Sequence, residues 1–245
     1  MDIHGFLTTH QLPSSYAETA QKWFTPLCEQ LLKHQEGATK PFIVGINGSQ
    51  GSGKSTLTSF VEYYLSSVHG KQVVSLSIDD FYFDQSQRNA LAIKVHPLLA
   101  TRGVPGTHNI PLALDTLRNL DSGSRTLLPR FDKATDNPFP TEQWPVIASS
   151  PDFIILEGWC VGATPQSQSE LKPPINHLEE VEDPLGIWRS FVNTELAGDY
   201  QTLFAKIDYR IMLKAPSFDC VYQWRLEQEH KLAKKAASQA QHHGL

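Results

Sequence analysis

Eight consecutive residues, Gly48-Ser-Gln-Gly-Ser-Gly-Lys-Ser55, have the types and spacing that hold a polyphosphate. Glycines at 48, 51 and 53 let the backbone curl, so that the N–H groups of this stretch, Ser49, Gln50 and Ser52 among them, point inward at phosphate oxygens. Lys54 brings a point charge for the β- and γ-phosphates. Ser55 offers a hydroxyl to Mg²⁺, and Thr56 follows on the first helical turn, where the helix dipole adds positive potential. The alternative is a glycine-rich turn with an ordinary surface lysine. An apolar run before the motif and helical spacing after it favour the phosphate cradle.

Two further groups of acids could complete a transfer reaction. Ser77-Ile-Asp-Asp-Phe-Tyr82 places Asp79 and Asp80 at the end of an apolar run. A carboxylate at the carboxyl end of a strand next to the phosphate-binding strand faces the ligand crevice, where it can take the proton of an attacking hydroxyl. Either acid could instead only cap the following turn. Glu157 closes a second apolar run, Asp152-Phe-Ile-Ile-Leu156. A buried carboxylate there needs a cation, either Mg²⁺ or the head of a lysine or arginine.

These residues need elements to position them. Helical spacing of apolar residues predicts helices over 14–36, with Ser14 or Ser15 as cap, and over 54–67, 109–120, 188–205 and 217–239. Short apolar runs predict strands at 41–46, 72–78, 125–128, 152–156 and 207–213. Residues 83–106 read as irregular or short helical structure, and the polar stretch 161–187 as an exposed loop. Strands alternating with helices imply an α/β fold of the P-loop NTPase type, three layers with a mainly parallel central sheet. One domain is expected over 1–245. It comprises an N-terminal helical segment (1–39), an acceptor-binding insertion (83–150), an exposed loop and helix (161–205) and a C-terminal lid helix (216–245).

With 245 residues, 40% apolar and 19% charged, the composition is that of an ordinary globular protein. A net charge of −5 speaks against nucleic acid as a partner. No run of about 18 apolar residues predicts a membrane span, and the N-terminus lacks the pattern of a signal peptide. Three widely spaced cysteines argue for a reducing compartment, the cytoplasm, and against a disulfide framework or a zinc site. His242-His243 reads as a solvated tail.

The phosphate cradle implies a nucleoside triphosphate but leaves the reaction open. The N-K-x-D motif expected of a GTPase is absent, and Asp183-Pro-Leu-Gly186 lies in the polar stretch, where its match to D-x-x-G reads as chance. A motor ATPase would end a strand in Asp-Glu, whereas this chain has Glu157-Gly158.

At these motifs the chain resembles the uridine kinase, pantothenate kinase and phosphoribulokinase superfamily, and within it the plant-type D-glycerate 3-kinase family with its bacterial and fungal kinase-like relatives. The resemblance spans roughly residues 40–235. Its specific carriers are Ser77-Ile-Asp-Asp-Phe-Tyr82, Arg102-Gly-Val-Pro-Gly-Thr-His108, Leu128-Pro-Arg-Phe-Asp-Lys133 and Ile155-Leu-Glu-Gly-Trp-Cys-Val-Gly162. The resemblance implies ATP and Mg²⁺, with Asp79 as general base, Glu157 and Ser55 near the metal, and Arg225 as a lid arginine closing on the phosphates. It also implies acceptor contacts from Asp80, Tyr82, Arg102, Thr107, His108, Arg130, Asp132 and Lys133. A further helical segment after Leu245 is expected on the same grounds.

Two departures accompany the likeness. The glycine- and arginine-containing stretch of the plant enzymes is replaced here by the shorter Ala134-Thr-Asp-Asn-Pro-Phe-Pro140, which lacks arginine. The chain also stops where its relatives continue. Chemistry alone agrees with an acidic acceptor: Arg130 and Lys133 beside Asp132 could hold a carboxylate and a hydroxyl, though they could equally form a surface ion pair. Arg225 could equally be a solvated arginine on a charged helix. The expectation is ATP-dependent phosphorylation of a small-molecule hydroxyl, D-glycerate or a related acid. The competing expectations are a nucleoside- or pantothenate-type kinase and a regulatory protein that holds nucleotide without an acceptor.

Overall fold

β1, Phe42–Gly48, is buried along almost its whole length in the computed structural model, which describes residues 2–38 and 40–226. Ahead of it lie α1 (Ile3–Thr9), α2 (Tyr16–Thr19), one π-helical turn (Ala20–Phe24) and α3 (Thr25–Gln35), the last three running as one helical stretch. Gly37, at φ +79°, lies just beyond α3. Neither serine caps this stretch in the expected way. Ser15 has helical backbone angles and makes no side-chain cap bond, and the chain enters through a turn in which Tyr16 N–H donates to Pro13 O. Asp2 does cap α1, accepting from Gly5 N–H.

After β1 come α4 (Lys54–His69), β2 (Val73–Ser77), a 3₁₀ turn (Ile78–Phe81), α5 (Gln85–Lys94), a 3₁₀ turn (Pro97–Ala100) and α6 (Ile110–Asp121). Four two-residue strands follow. β3 (Thr126–Leu127) pairs antiparallel with β6 (Val146–Ile147), and β4 (Phe131–Asp132) with β5 (Asn137–Pro138). The strand expected at 125–128 therefore belongs to a small separate ladder and not to the central sheet.

β7 (Phe153–Gly158) leads through α7 (Gln168–Leu171) and α8 (His177–Glu182) to α9 (Ile187–Ala197), α10 (Asp199–Phe204) and β8 (Tyr209–Leu213). Residues 218–226 are again helical; the remainder of the predicted helix 217–239, and His242-His243, lie outside the described residues. Among the described residues no helix is long and apolar enough to cross a membrane.

The central sheet is parallel throughout, in the order β2-β7-β1-β8. This corrects the expectation that β2 neighbours the phosphate-binding strand, because β7 lies between them. The burial patterns give the reason. Phe153, Ile154, Ile155 and Leu156 are all buried, which suits a strand covered on both faces and paired on both sides, whereas β2 and β8 alternate and suit edges. Alternation along the strands splits the core in two. Ile43, Val74, Leu76, Ile154 and Leu156 pack with α6 and α10, and Phe42, Val44, Ile46, Phe153 and Ile155 pack with α1, α3 and α4.

The stretch 161–187 is largely exposed, as expected, but carries the short helices α7 and α8 and a buried anchor. Asp183 is buried and accepts from the N–H groups of Trp188 and Arg189 and from the Arg189 guanidinium, so it caps α9. Gly186, at φ +71°, makes the turn into that helix, so Asp183-Pro-Leu-Gly186 is a helix entry. Most of the stretch is exposed, as its polar composition suggested, but Glu179 and Asp183 are buried charges with partners inside. The helix expected over 188–205 is likewise two helices, broken at Gly198.

Candidate active site

The parallel register brings three strand ends into one row. Glu157 of β7 stands beside Ile46 of β1 on one side and Ser77 of β2 on the other. The phosphate-binding loop leaves β1 at Gly48, and the 3₁₀ turn carrying Asp79 and Asp80 leaves β2 at Ser77, so both emerge at this carboxyl edge.

The loop has the backbone that a phosphate cradle requires. Gly51 and Gly53 have φ of +77° and +92°. At Gly51 a Cβ would also lie 2.5 Å from Trp224 Cβ, so the helical segment 218–226 rests directly on the loop. The Ser49 and Ser52 hydroxyls are buried with no hydrogen-bond partner among the described residues, and buried polar groups of this kind need one. Lys54 Nζ donates to Ser49 O at 2.9 Å. Burial lowers the Lys54 pKa, with Glu157 and Asp79 opposing the shift.

Two cavities adjoin the strand ends. The first, about 370 Å³, is lined by Gln50, Gly51, Gly53, Lys54, Ser55, Thr56, Ser77, Asp79, Lys133, Glu157 and Gly158, and by Trp159, Trp224 and Arg225. The second, about 800 Å³, is lined by Ser49, Gln50, Asp79, Tyr82, Lys133, Asp136, Trp159 and Arg225, with residues 100–104 and Phe218, Val221 and Tyr222. Gln50, Asp79, Lys133, Trp159 and Arg225 belong to both, so the two spaces meet at Asp79.

At that junction Lys133 Nζ donates to Asp79 Oδ2 at 2.7 Å. Burial pushes the Asp79 pKa up. The Lys133 hydrogen bond and charge, with the Tyr82 hydroxyl, outweigh burial and hold it below the usual carboxylate range. Glu157 is shifted the other way. Burial raises it more than the Ser77 hydroxyl and the Lys54 charge lower it, so a cation arriving beside it would favour its ionised form. An ionised carboxylate poised between two cavities, one ending in a phosphate-type loop, can accept a proton from a hydroxyl in the other.

The remaining predicted residues divide between cavity wall and support. Tyr82 and Arg102 line the second cavity. Asp80, Thr107, His108, Arg130 and Asp132 line neither of the two. Asp80 accepts from Phe131 N–H (3.2 Å) and Arg130 Nη1 (3.3 Å), which ties the β4–β5 hairpin to the turn after β2. Asp132 caps its own turn through Ala134 N–H and the Thr135 hydroxyl, which presents Lys133 at the hairpin tip. Thr107 bonds to Val104 O and Gly103 N–H within its loop, and His108 is buried under Tyr82.

Sequence reasoning missed Asp136, Arg88 and the role of Trp159. Asp136, at φ +58°, receives hydrogen bonds from the fully buried Arg88 (2.5 Å to Oδ2) and from Arg102. Nothing in the spacing of residues 88, 102 and 136 signals that they meet. Trp159 Nε1–H donates to Gly103 O at 2.9 Å and Asn47 Nδ2 donates to Trp159 O at 2.9 Å, which joins the end of β7 to the loop at 100–104 that lines the second cavity. Its place after Glu157-Gly158 was the available clue.

Known proteins resemble this chain over most of its length. Residues 43–164 match the Phosphoribulokinase / Uridine kinase family. An uncharacterized kinase of Schizosaccharomyces pombe, mug58, is 35% identical over 221 residues, covering 84% of this chain and 78% of that protein. The chloroplastic D-glycerate 3-kinase of Arabidopsis thaliana is 28% identical over 199 residues, covering 77% of this chain and 41% of that protein. The solved D-glycerate 3-kinase of Cryptococcus neoformans var. grubii superposes with a TM-score of 0.74 at 27% identity, covering 94% of this chain and 84% of that one.

Proposed function

Since the chain belongs to the phosphoribulokinase/uridine kinase family and is an ATP-dependent small-molecule kinase, we propose that its acceptor is a small hydroxy acid, D-glycerate first. The observation that carries this reading is the meeting of the two cavities at Asp79, with Lys133, Arg102 and Arg225 as cations on the acceptor side.

Asp79 takes the hydroxyl proton of the acceptor. Lys54 and Arg225 place positive charge where the transferring phosphoryl group develops its own, and the loop amides of 48–55 hold the polyphosphate. The buried hydroxyls of Ser49 and Ser52 and the left-handed glycines are what support this fit. Mg²⁺ would be held by Ser55 and Glu157, two oxygen donors on one cavity. Among the described residues no cluster of three or more His, Cys, Asp or Glu could hold a metal ion by itself, which suits an ion that takes its other ligands from phosphate and water. When bound, the ion neutralises phosphate charge. The acceptor's carboxylate is met by Lys133 and Arg102, with residues 83–150 supplying this side of the site. The three cysteines are free, which suits the cytoplasm.

A panel of hydroxyl acceptors with coupled detection of ADP tests the acceptor. D-Glycerate is expected to give the highest kcat/KM, with nucleosides and pantothenate far behind. Faster turnover of a nucleoside would refute the acidic acceptor, and ADP release indifferent to every acceptor would favour a regulatory protein.

A second expectation concerns pH. The Lys133 ammonium holds the Asp79 carboxyl down, and burial would raise it if that ammonium were gone. Lys133→Met should therefore move the acid limb of kcat/KM to higher pH, because a base with a raised pKa is already protonated, and idle, at a pH where the wild-type base is ionised. A pH–rate profile of the variant with an unmoved acid limb would separate Lys133 from the base.

A further inference from the structure

We propose that Tyr200 is a positioning residue for this reaction: its hydroxyl fixes His108 as the Nε2–H tautomer, the buried ring on which Tyr82 stacks beside Asp79. His108 Nδ1 lies 2.6 Å from the Tyr200 hydroxyl oxygen. That oxygen already accepts the Gly106 N–H at 3.0 Å. Both side chains are buried, Tyr200 at 1% exposure and His108 at 3%. A phenol carries one proton, and among the described residues the acceptor left for it is Nδ1. The opposite assignment, a proton on Nδ1, would leave both the Tyr200 hydroxyl hydrogen and the Nε2 lone pair buried without a partner, whereas the Nε2–H form leaves the Nε2–H alone unpaired among the described residues. So Tyr200 donates to Nδ1, and the imidazole proton sits on Nε2. Burial lowers the ring's pKa to about 3, so it is neutral at working pH.

The tautomer bears on the reaction through Tyr82. The rings of Tyr82 and His108 stack with centroids 4.3 Å apart at 21°, and their backbones are bridged in antiparallel fashion. Bonds from Phe83 N–H to Thr107 O and from Asn109 N–H to Phe81 O lock the two segments on either side of that bridge. Tyr82 and Asp79 line the same cavity, where the Tyr82 hydroxyl helps to hold the Asp79 pKa down and also lies 3.5 Å from Gly103 O. The line from Gly106 through Tyr200, His108 and Tyr82 to Asp79 joins the loop after Arg102, α10 and the end of β2. A neutral His108 also leaves Lys133 as the cation paired with Asp79, where an imidazolium behind Tyr82 would compete for it.

The inference rests on Asp79 as the base, but its first test needs no acceptor. Long-range ¹H–¹⁵N spectra of the full chain report which ring nitrogen carries the proton, and contacts of its ring protons with Tyr82 and Tyr200 identify His108 among the ten histidines. At neutral pH His108 is expected as the pure Nε2–H form. The Nδ1–H form or the imidazolium would overturn the proposal, whether or not any acid proves to be the acceptor. The second arm is Tyr200→Phe, which keeps the ring and removes the hydroxyl. A mixed tautomer at His108 is expected, with kcat about tenfold lower and KM for ATP unchanged. Wild-type kcat alongside a mixed tautomer would show that His108 is not coupled to the base. Should that variant fail to fold, the wild-type spectrum decides alone.

Discussion

Asp79→Asn is expected to lower kcat by about 10²–10⁴-fold, the range that loss of a positioned general base produces, with ATP affinity essentially retained. The replacement is nearly the same size, so the junction between the cavities keeps its shape. An amide cannot take up a proton at this pH. Its oxygen can still accept from Lys133 Nζ, which lies 2.7 Å from the native carboxylate, so the β4–β5 hairpin should stay in place. The neighbouring Asp80 cannot stand in, because its oxygens are committed to Phe131 N–H and Arg130 and it lines neither cavity. Single-turnover rates and calorimetric titration with ATP separate the chemical step from nucleotide binding. A variant turning over within tenfold of wild type would remove Asp79 from the base role.

Lys54→Ala should act on both quantities at once. Its ammonium lies within the first cavity, partly stripped of water, and charge in such a site interacts far more strongly than at a surface. Loss of one preorganised donor to a developing charge costs about 10²–10³ in kcat. The same ammonium also meets the ground-state polyphosphate, so ATP affinity should fall alongside. Lys54→Arg should restore little, since the planar fork cannot occupy the place of a compact ammonium bonded to Ser49 O. Unchanged nucleotide affinity in the alanine variant would mean that the loop is not the cradle.

The motifs were legible to different depths. The loop at 48–55 could be read as a strand-to-helix turn beside a cavity, because its pattern lies in consecutive residues. Asp79 and Glu157 could be read as strand-end acids, though not as partners in one row. The roles given to Asp80, Arg130 and Asp132 came from their place in a motif. The structure turns these side chains to one another and to backbone N–H groups, so that Lys133 and Tyr82 face the cavities. Asp183 misled for a related reason: a polar residue suggests solvent unless its partner is known, and Arg189 meets it inside.

By itself the order of residues determined the parallel α/β class, the polyphosphate loop and the identity of the acids available for chemistry, since each depends on spacing within about twenty residues. Tertiary structure alone decided that β7 lies between β1 and β2, that Lys133 reaches Asp79 across 54 positions, and that Asp136 gathers Arg88 and Arg102 beside the second cavity. Those pairings follow from which strand buries both faces and which loops that burial then brings together, and no local pattern encodes a contact set by packing at long range.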